Sequence, residues 1–231
     1  MIAETNMAPE KLTKKKKLKI AYEKLTEYAR DGKLIFNIQD QPTLEDFQNL
    51  IQDETMTHVA NCVLNTQENF PLKYNKDGKP SKKQREYLTD DCDYNGKKID
   101  YLMCHEYWKD GDNDWLYTLF YGGHLVKIGM TINSLEERYG SYSCGTPRAM
   151  KKGTCSTTNF IISECNYAAL KNGMSVEIYG IKCPPTKIEK TRFGITKMCN
   201  SSTVRDEETM LTECFKNKYN HLPALCVQSG K

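Results

Sequence analysis

Apolar positions along the chain change their spacing twice. From Lys14 to Arg30, the residues Leu18, Ala21, Tyr22, Leu25, Tyr28 and Ala29 recur every three or four positions, the pattern of one helix face. Gly32 ends that run. Thr43 and Asp46 stand at N-cap and N3 spacing, a capping box with Asp in place of Glu, ahead of a stripe of Leu44, Phe47, Leu50 and Ile51. A short third helix is predicted around His58 to Leu64. The stretch Lys73 to Lys98 carries KDGKP and DDCDYNGK and is predicted to be a long loop or hairpin outside the core.

After Asp114 the chain becomes aromatic and strand-favouring. Trp115 to Tyr121 predicts a strand, Gly122-Gly123 a two-residue hairpin turn, and His124 to Gly129 the returning strand. Asn133 and Glu136 have N-cap and N3 spacing, so a helix is predicted to begin near Ser134 and to carry Arg138 about one turn in. Ser175 to Lys182 predicts a third strand. Glu207 to Tyr219 predicts a helix with Leu211 and Phe215 on one face. The expected fold is α/β (α+β): a small central mixed or antiparallel sheet with flanking helices over residues 111–231. A mostly helical extension, residues 14–110, precedes it, and residues 1–13 form a basic tail expected to be disordered.

Composition narrows the class without naming a function. The 231 residues are 39% hydrophobic and 27% charged, ordinary for a soluble globular protein. No stretch approaches the roughly 18 apolar residues of a membrane span. The N-terminus lacks the apolar core of a secretory signal, so a cytoplasmic protein is expected. The ten cysteines form no CxxC pair, which favours free thiols in a reducing compartment over disulfides or a zinc ribbon. Net charge is only +3, but lysines cluster at Lys11 to Lys19, Lys73 to Arg85 and Lys151-Lys152, around an acidic stretch at Asp90 to Asp93. Such clusters are candidate phosphate contacts, although each alone is more often a solvated face.

Candidate chemistry lies on the hairpin and the helix behind it. Tyr117 and Lys127 occupy neighbouring strands, and Arg138 lies on the following helix. A phenol, an ammonium and a guanidinium at one sheet edge suit phosphodiester cleavage. The ammonium favours the phenolate or polarises a water held by the phenol, and the guanidinium neutralises charge developing on phosphate. The carboxylate needed to hold a divalent cation is offered by the C-terminal helix as Glu207 or Glu208. Taken singly, Tyr117 reads as a half-buried strand aromatic, Lys127 as a solvated lysine and Arg138 as an exposed helix cation; their joint spacing favours chemistry.

The pattern L-Y-x(9)-K-I-G-M-T-x(6)-R resembles the GIY-YIG nuclease superfamily, with Trp115-Leu116-Tyr117 as the first motif and Lys127-Ile128-Gly129 as the second. Ser141 to Gly145, Lys152 to Asn159 and Pro223 to Cys226 further resemble a compact type II restriction endonuclease branch, and the likeness runs from about Asp114 to about Gln228. The resemblance implies Tyr117 as general base for the attacking water, Lys127 in place of the second motif tyrosine, Arg138 on phosphate, and Tyr142 near the site. It makes Glu208 the ligand of Mg²⁺ or Mn²⁺, a place that a one-residue slip would give to Glu207. It also implies a duplex-DNA substrate, a homodimer, and a companion DNA methyltransferase. Lys151, Lys152, Thr154, Ser156 and Asn159 are candidate DNA contacts, although GTCSTTN also reads as a plain turn with local hydroxyl bonds. Met130 departs from the His or Lys many family members carry after the second motif. It leaves two other readings open: a DNA-binding module that kept the fold without cleavage, and a homing or repair nuclease that nicks one strand.

Overall fold

The computed structural model describes residues 14–52, 54–66, 76–78 and 98–226. The expected tail at 1–13, most of the Lys73–Arg85 cluster and the Asp90–Asp93 stretch lie outside the described residues. The chain order is α1 (Lys14–Arg30), α2 (Leu44–Ile51), β1 (Thr57–Leu64), β2 (Ile99–Met103), β3 (Asp114–Tyr121), β4 (His124–Thr131), α3 (Leu135–Ser143), α4 (Pro147–Lys152), α5 (Thr157–Lys171), β5 (Val176–Cys183), β6 (Thr186–Arg192), β7 (Ile195–Ser201) and α6 (Val204–Tyr219). Five strands form one antiparallel sheet in the order β2-β1-β5-β3-β4. The fold is thus mixed α+β, with helices on both faces of the sheet, as the sequence predicts. No described helix is long and apolar enough to cross a membrane.

Local signals account for most elements. The Thr43–Asp46 capping box forms in full: the Thr43 hydroxyl oxygen accepts from the Asp46 amide, and the Asp46 carboxylate accepts from the Thr43 amide. Gly122 and Gly123 take φ values of 53° and 81°, which a two-residue turn between right-twisted strands requires. The helix after β4 starts one residue later than its Asn133 signal suggests. Asn133 donates its own amide to the Thr131 hydroxyl, and the Ser134 side chain caps α3 by accepting from the Glu137 amide.

The predicted helix at His58 to Leu64 is a strand instead. Val59, Ala60 and Cys62 are buried, and β1 lies between β2 and β5, so pairing on both edges overrides the local pattern. The stretch 14–110 therefore contributes two strands to the central sheet beside its helices.

One face of the sheet packs Trp115, Tyr117, Leu119 and Val126 against α1, α3 and α5. The other packs Phe120, Leu125 and Ile128 against Phe47 of α2 and Phe215 of α6, and Leu116 and Ile181 against Val204. Under β2, the Lys98 ammonium donates to both carboxylate oxygens of Glu164 at 3.1 and 3.0 Å, with both side chains buried and Tyr167 beneath the ammonium.

Strand β4 is a sheet edge, and two separate segments cover its outer side. Leu44 donates to the Gly123 carbonyl and Leu125 donates to the Pro42 carbonyl. Further along, Leu225 donates to the Val126 carbonyl, while the Cys226 thiol donates to the Ile128 carbonyl and accepts from the Ile128 amide. Capping an apolar edge in this way removes a template for pairing with other chains.

Candidate active site

The site is built where β3, β4, α3 and α6 meet. Tyr117 pairs across the hairpin with Gly129, and its ring lies over that glycine; a Cβ there would collide with the phenol ring and hydroxyl. Gly129 is therefore the residue that lets Tyr117 lie flat against β4. The Tyr117 side chain is 1% exposed, and its position is fixed by polar contacts. The Arg138 Nε–H donates to the Tyr117 oxygen at 2.9 Å, and the Tyr117 and Tyr142 hydroxyls are 2.6 Å apart. The Arg138 guanidinium also lies over the Tyr142 ring, 4.6 Å from its centroid. Tyr139 packs edge-on against both tyrosine rings, its own hydroxyl buried and without a partner among the described residues.

Electrostatics follow from this burial. Burial pushes the Tyr142 hydroxyl well above its ordinary range, and the neighbouring Tyr117 adds to the shift against the opposing pull of Arg138. Tyr142 is therefore a neutral hydroxyl, able to donate to the Tyr117 oxygen. Burial disfavours the charged form of Arg138, but Tyr117 and Tyr142 outweigh it, so the guanidinium stays firmly protonated.

Lys127 pairs with Leu119 in the same ladder, which sets it on the sheet face of Tyr117. It is 7% exposed, and its ammonium donates to the Leu225 carbonyl at 3.5 Å. Among the described residues its hydrogen bond goes to that carbonyl and not to the phenol. The C-terminal cover of β4 thus also holds a site residue.

Glu208 comes from α6. Burial raises its carboxyl above the ordinary range, and Lys127, Arg138 and Arg205 pull it back in part. Those three opposing charges place the carboxylate within electrostatic reach of the hairpin lysine and the α3 arginine. Glu207 turns elsewhere: its carboxylate accepts from the Thr203 hydroxyl at 2.6 Å and bears on the Cys183 thiol. Between the two acids, Glu208 is the one on which the charges of Lys127 and Arg138 bear.

Among the described residues no three His, Cys, Asp or Glu side chains gather to hold a metal. One carboxylate is still an adequate protein donor for Mg²⁺, which keeps several waters and completes its shell with substrate phosphate. Glu208, half-buried and without a direct ion pair among the described residues, fits that role.

An open cleft of about 610 Å³ lies beside this cluster, lined by Met130, Thr131, Arg138, Ser141, Arg205 and Asp206 among others. Met130 packs its side chain against the cluster of Leu116, Ile181 and Val204, and offers the cleft an apolar wall. Of the polar residues of β4 that could stand in for Met130, Thr131 lines the cleft, while His124 hydrogen-bonds the Gln41 carbonyl at the turn end of the strand. Arg205 was not singled out in the sequence. It stands three residues before Glu208, a spacing that shares one helix face, and that was its available signal.

The candidate DNA contacts form a separate group. Lys151 and Lys152 end α4 as exposed side chains, with Gly153 in the left-handed region behind them. The Thr154 hydroxyl donates to the Ala149 carbonyl, and the Ser156 oxygen caps α5 by accepting from the Asn159 amide. Those two hydroxyls thus make the local bonds of a turn, and none of the five residues lines the cleft.

No protein-family model and no curated protein matches the chain. Among solved structures, the chain is similar to restriction endonuclease HPY188I in complex with product DNA, with 22% identity over 83% of this chain and 90% of that one and a TM-score of 0.46. It is also similar to a mutant of EndoII from bacteriophage T4, with 15% identity over 80% of this chain and 99% of that one and a TM-score of 0.39.

Proposed function

We propose that the protein is a divalent-metal-dependent endonuclease that hydrolyses phosphodiester bonds of duplex DNA at specific sequences, in the manner of GIY-YIG restriction enzymes. The observation that carries this reading is the Tyr117 oxygen, held by Arg138 and Tyr142 beside an open cleft that Arg138 itself lines. Structural arginines are usually satisfied by carboxylates. Here a buried-edge guanidinium is aimed at a phenol and keeps part of its donor fork for the cleft, where a phosphate would be bound through two oxygens.

In the proposed reaction, Arg138 binds the scissile phosphate and neutralises the charge that builds on it. Tyr117 in its phenolate form accepts the proton of the attacking water, the leaving oxygen takes a proton from solvent, and Tyr142 fixes the position of the Tyr117 oxygen by donating a hydrogen bond to it. Lys127 supplies positive charge behind the phenol and beside Glu208. Glu208 would hold a Mg²⁺ or Mn²⁺ ion, which would supply Lewis-acid chemistry there. Lys151 and Lys152 contact the backbone of the duplex away from the cleavage point. Cleavage of both strands of a palindromic target would require a two-fold dimer, and a companion methyltransferase would protect the same sequence.

The test is plasmid DNA with Mg²⁺, followed by sequencing of the ends. Wild-type protein gives linear fragments with one recurrent end sequence. Tyr117→Phe and Glu208→Ala each lose at least about a hundredfold in rate, the scale of a lost general base or metal ligand. Full activity in both variants would sink the mechanism. Open circles without linear product would point to a nickase. Met130, an apolar wall where a proton carrier is more usual, favours the second reading of a DNA-binding module without cleavage; salt-sensitive binding with no cutting under any divalent metal would establish it.

A further inference from the structure

Among the described residues, strands β6 and β7 pair only with each other. Seven residues on each side give a two-stranded ribbon about 23 Å long, and nearly every residue in it is exposed. A lone hairpin of this kind is marginal in water, because it has no face to bury.

Its composition makes the ribbon less stable still. Lys190 stands directly opposite Lys197, and the next pair on the same face is Arg192 with Ile195. Like charges facing each other across a ladder repel. No carboxylate forms an ion pair with any of the three cations among the described residues. Lys187, Lys190, Arg192 and Lys197 against Glu189 give the ribbon a net +3, equal to that of the whole 231-residue chain.

The tip repeats the pattern. Its turn is Phe193-Gly194, with φ of 54° and 73°. The first hairpin fills both such positions with glycine. Here a phenylalanine occupies a left-handed backbone position that bulky residues avoid, and its ring is 88% exposed. Unneutralised opposed cations and a left-handed, solvent-facing phenylalanine both cost stability, and the ring's contact within the ribbon is the Arg192 guanidinium, 5.0 Å from its centroid. The ribbon also rises from the rim of the cleft: β7 ends at Ser201, and Ser202, Val204 and Arg205 are cleft-lining residues.

We propose that the β6–β7 ribbon is a DNA-binding arm. It lies in the major groove of the duplex whose backbone enters the cleft, with Lys190, Arg192 and Lys197 on phosphates or base edges and Phe193 making apolar contact at the tip. The major groove is wide enough to admit a two-stranded ribbon. Duplex phosphates supply the anions that the opposed lysines lack. The proposal rests on the reading of the cleft as a duplex-DNA site, and it can be tested apart from cleavage.

The experiment measures binding of the full chain to a labelled DNA duplex by fluorescence anisotropy, without divalent metal, as salt rises from about 50 to about 200 mM. The variant carrying Lys190→Gln, Arg192→Gln and Lys197→Gln loses like-charge repulsion and stays folded, which circular dichroism verifies. It is expected to bind at least about tenfold more weakly, and its slope of log affinity on log salt falls in magnitude by about 2 to 3, as three lost phosphate contacts require. The double variant Lys190→Arg and Lys197→Arg keeps the slope. Phe193→Ala weakens binding and leaves the slope unchanged, because an apolar contact releases no counterions. Wild-type affinity and slope in the triple variant would overturn the arm, as would absence of duplex binding by the wild type or tighter binding to duplex RNA. Ribbon-dependent binding by a wild type that cuts nothing with Mg²⁺ would uphold the arm and overturn the nuclease reading alone.

Discussion

Gly129 and Glu208 show what single side chains contribute to the site. Any Cβ at Gly129 would enter the Tyr117 ring, so Gly129→Ala is expected to displace the phenol and to cost about 1–3 kcal/mol, as overpacking does. Denaturant melts would show the loss, and cleavage would fall with it. Glu208 acts in the opposite sense. Its folded-state carboxyl holds a proton more tightly than an unfolded glutamate, chiefly through burial. Its contribution to stability is therefore complete below the unfolded value and is lost as pH rises through the raised folded value. Ionised Glu208 destabilises the fold at neutral pH. Glu208→Gln should melt higher than wild type near pH 7, with the gap closing below about pH 4, as glutamate becomes protonated in both states. Mg²⁺ should raise the melting temperature of wild type only. A variant that melts lower than wild type at pH 7 would contradict this account.

At the scale of elements, the hairpin of β3 and β4 and its following helix α3 were legible because they are continuous in sequence. Gly-Gly marks the turn, and register and helix period then carry Tyr117, Lys127 and Arg138 to one edge. Strand β1 was not legible. His58, Val59, Cys62 and Val63 fit a helical stripe as well as a strand, and only pairing between β2 and β5 decides. The β6–β7 ribbon escaped for another reason: without a buried face it has no apolar alternation to read. The separation of Glu208 from Glu207 depends on how α6 crosses β4, which no local pattern specifies. The ribbon also sets stability against binding. Lys197→Glu would turn its repelling pair into an attracting one, and is expected to stabilise the ribbon by a few tenths of a kcal/mol up to about 1. Hydrogen exchange of the β6 and β7 amides would slow, while affinity for duplex DNA would drop.

For the molecule as a whole, the buried Lys98–Glu164 pair ties the base of β2 to α5 across the face opposite α6. Replacing both partners with apolar residues of similar size would be nearly neutral, whereas removing one leaves an uncompensated buried charge. Glu164→Leu alone is expected to cost about 3–5 kcal/mol, and the double variant Lys98→Met and Glu164→Leu to recover most of it in chemical denaturation. Both elements it joins pack on α3, Tyr101 of β2 edge-on against Tyr139, so its loss is expected to lower stability and to loosen the support behind Arg138 and Tyr142.

The cover that Leu225 and Cys226 place on β4 has a consequence in time. Ile128 and the Cys226 thiol that receives its amide are 98 residues apart. At roughly 5–20 residues per second of synthesis, the Val126–Ile128 stretch of the β4 edge, beyond the reach of the Pro42–Leu44 segment, stays bare for about 5–20 s after it emerges. During that interval Glu208 is also absent or unplaced, so the growing chain carries its tyrosine and arginine but not its acid. The segment that ends this exposure also seats Lys127, which couples protection of the edge to completion of the site in a single late step.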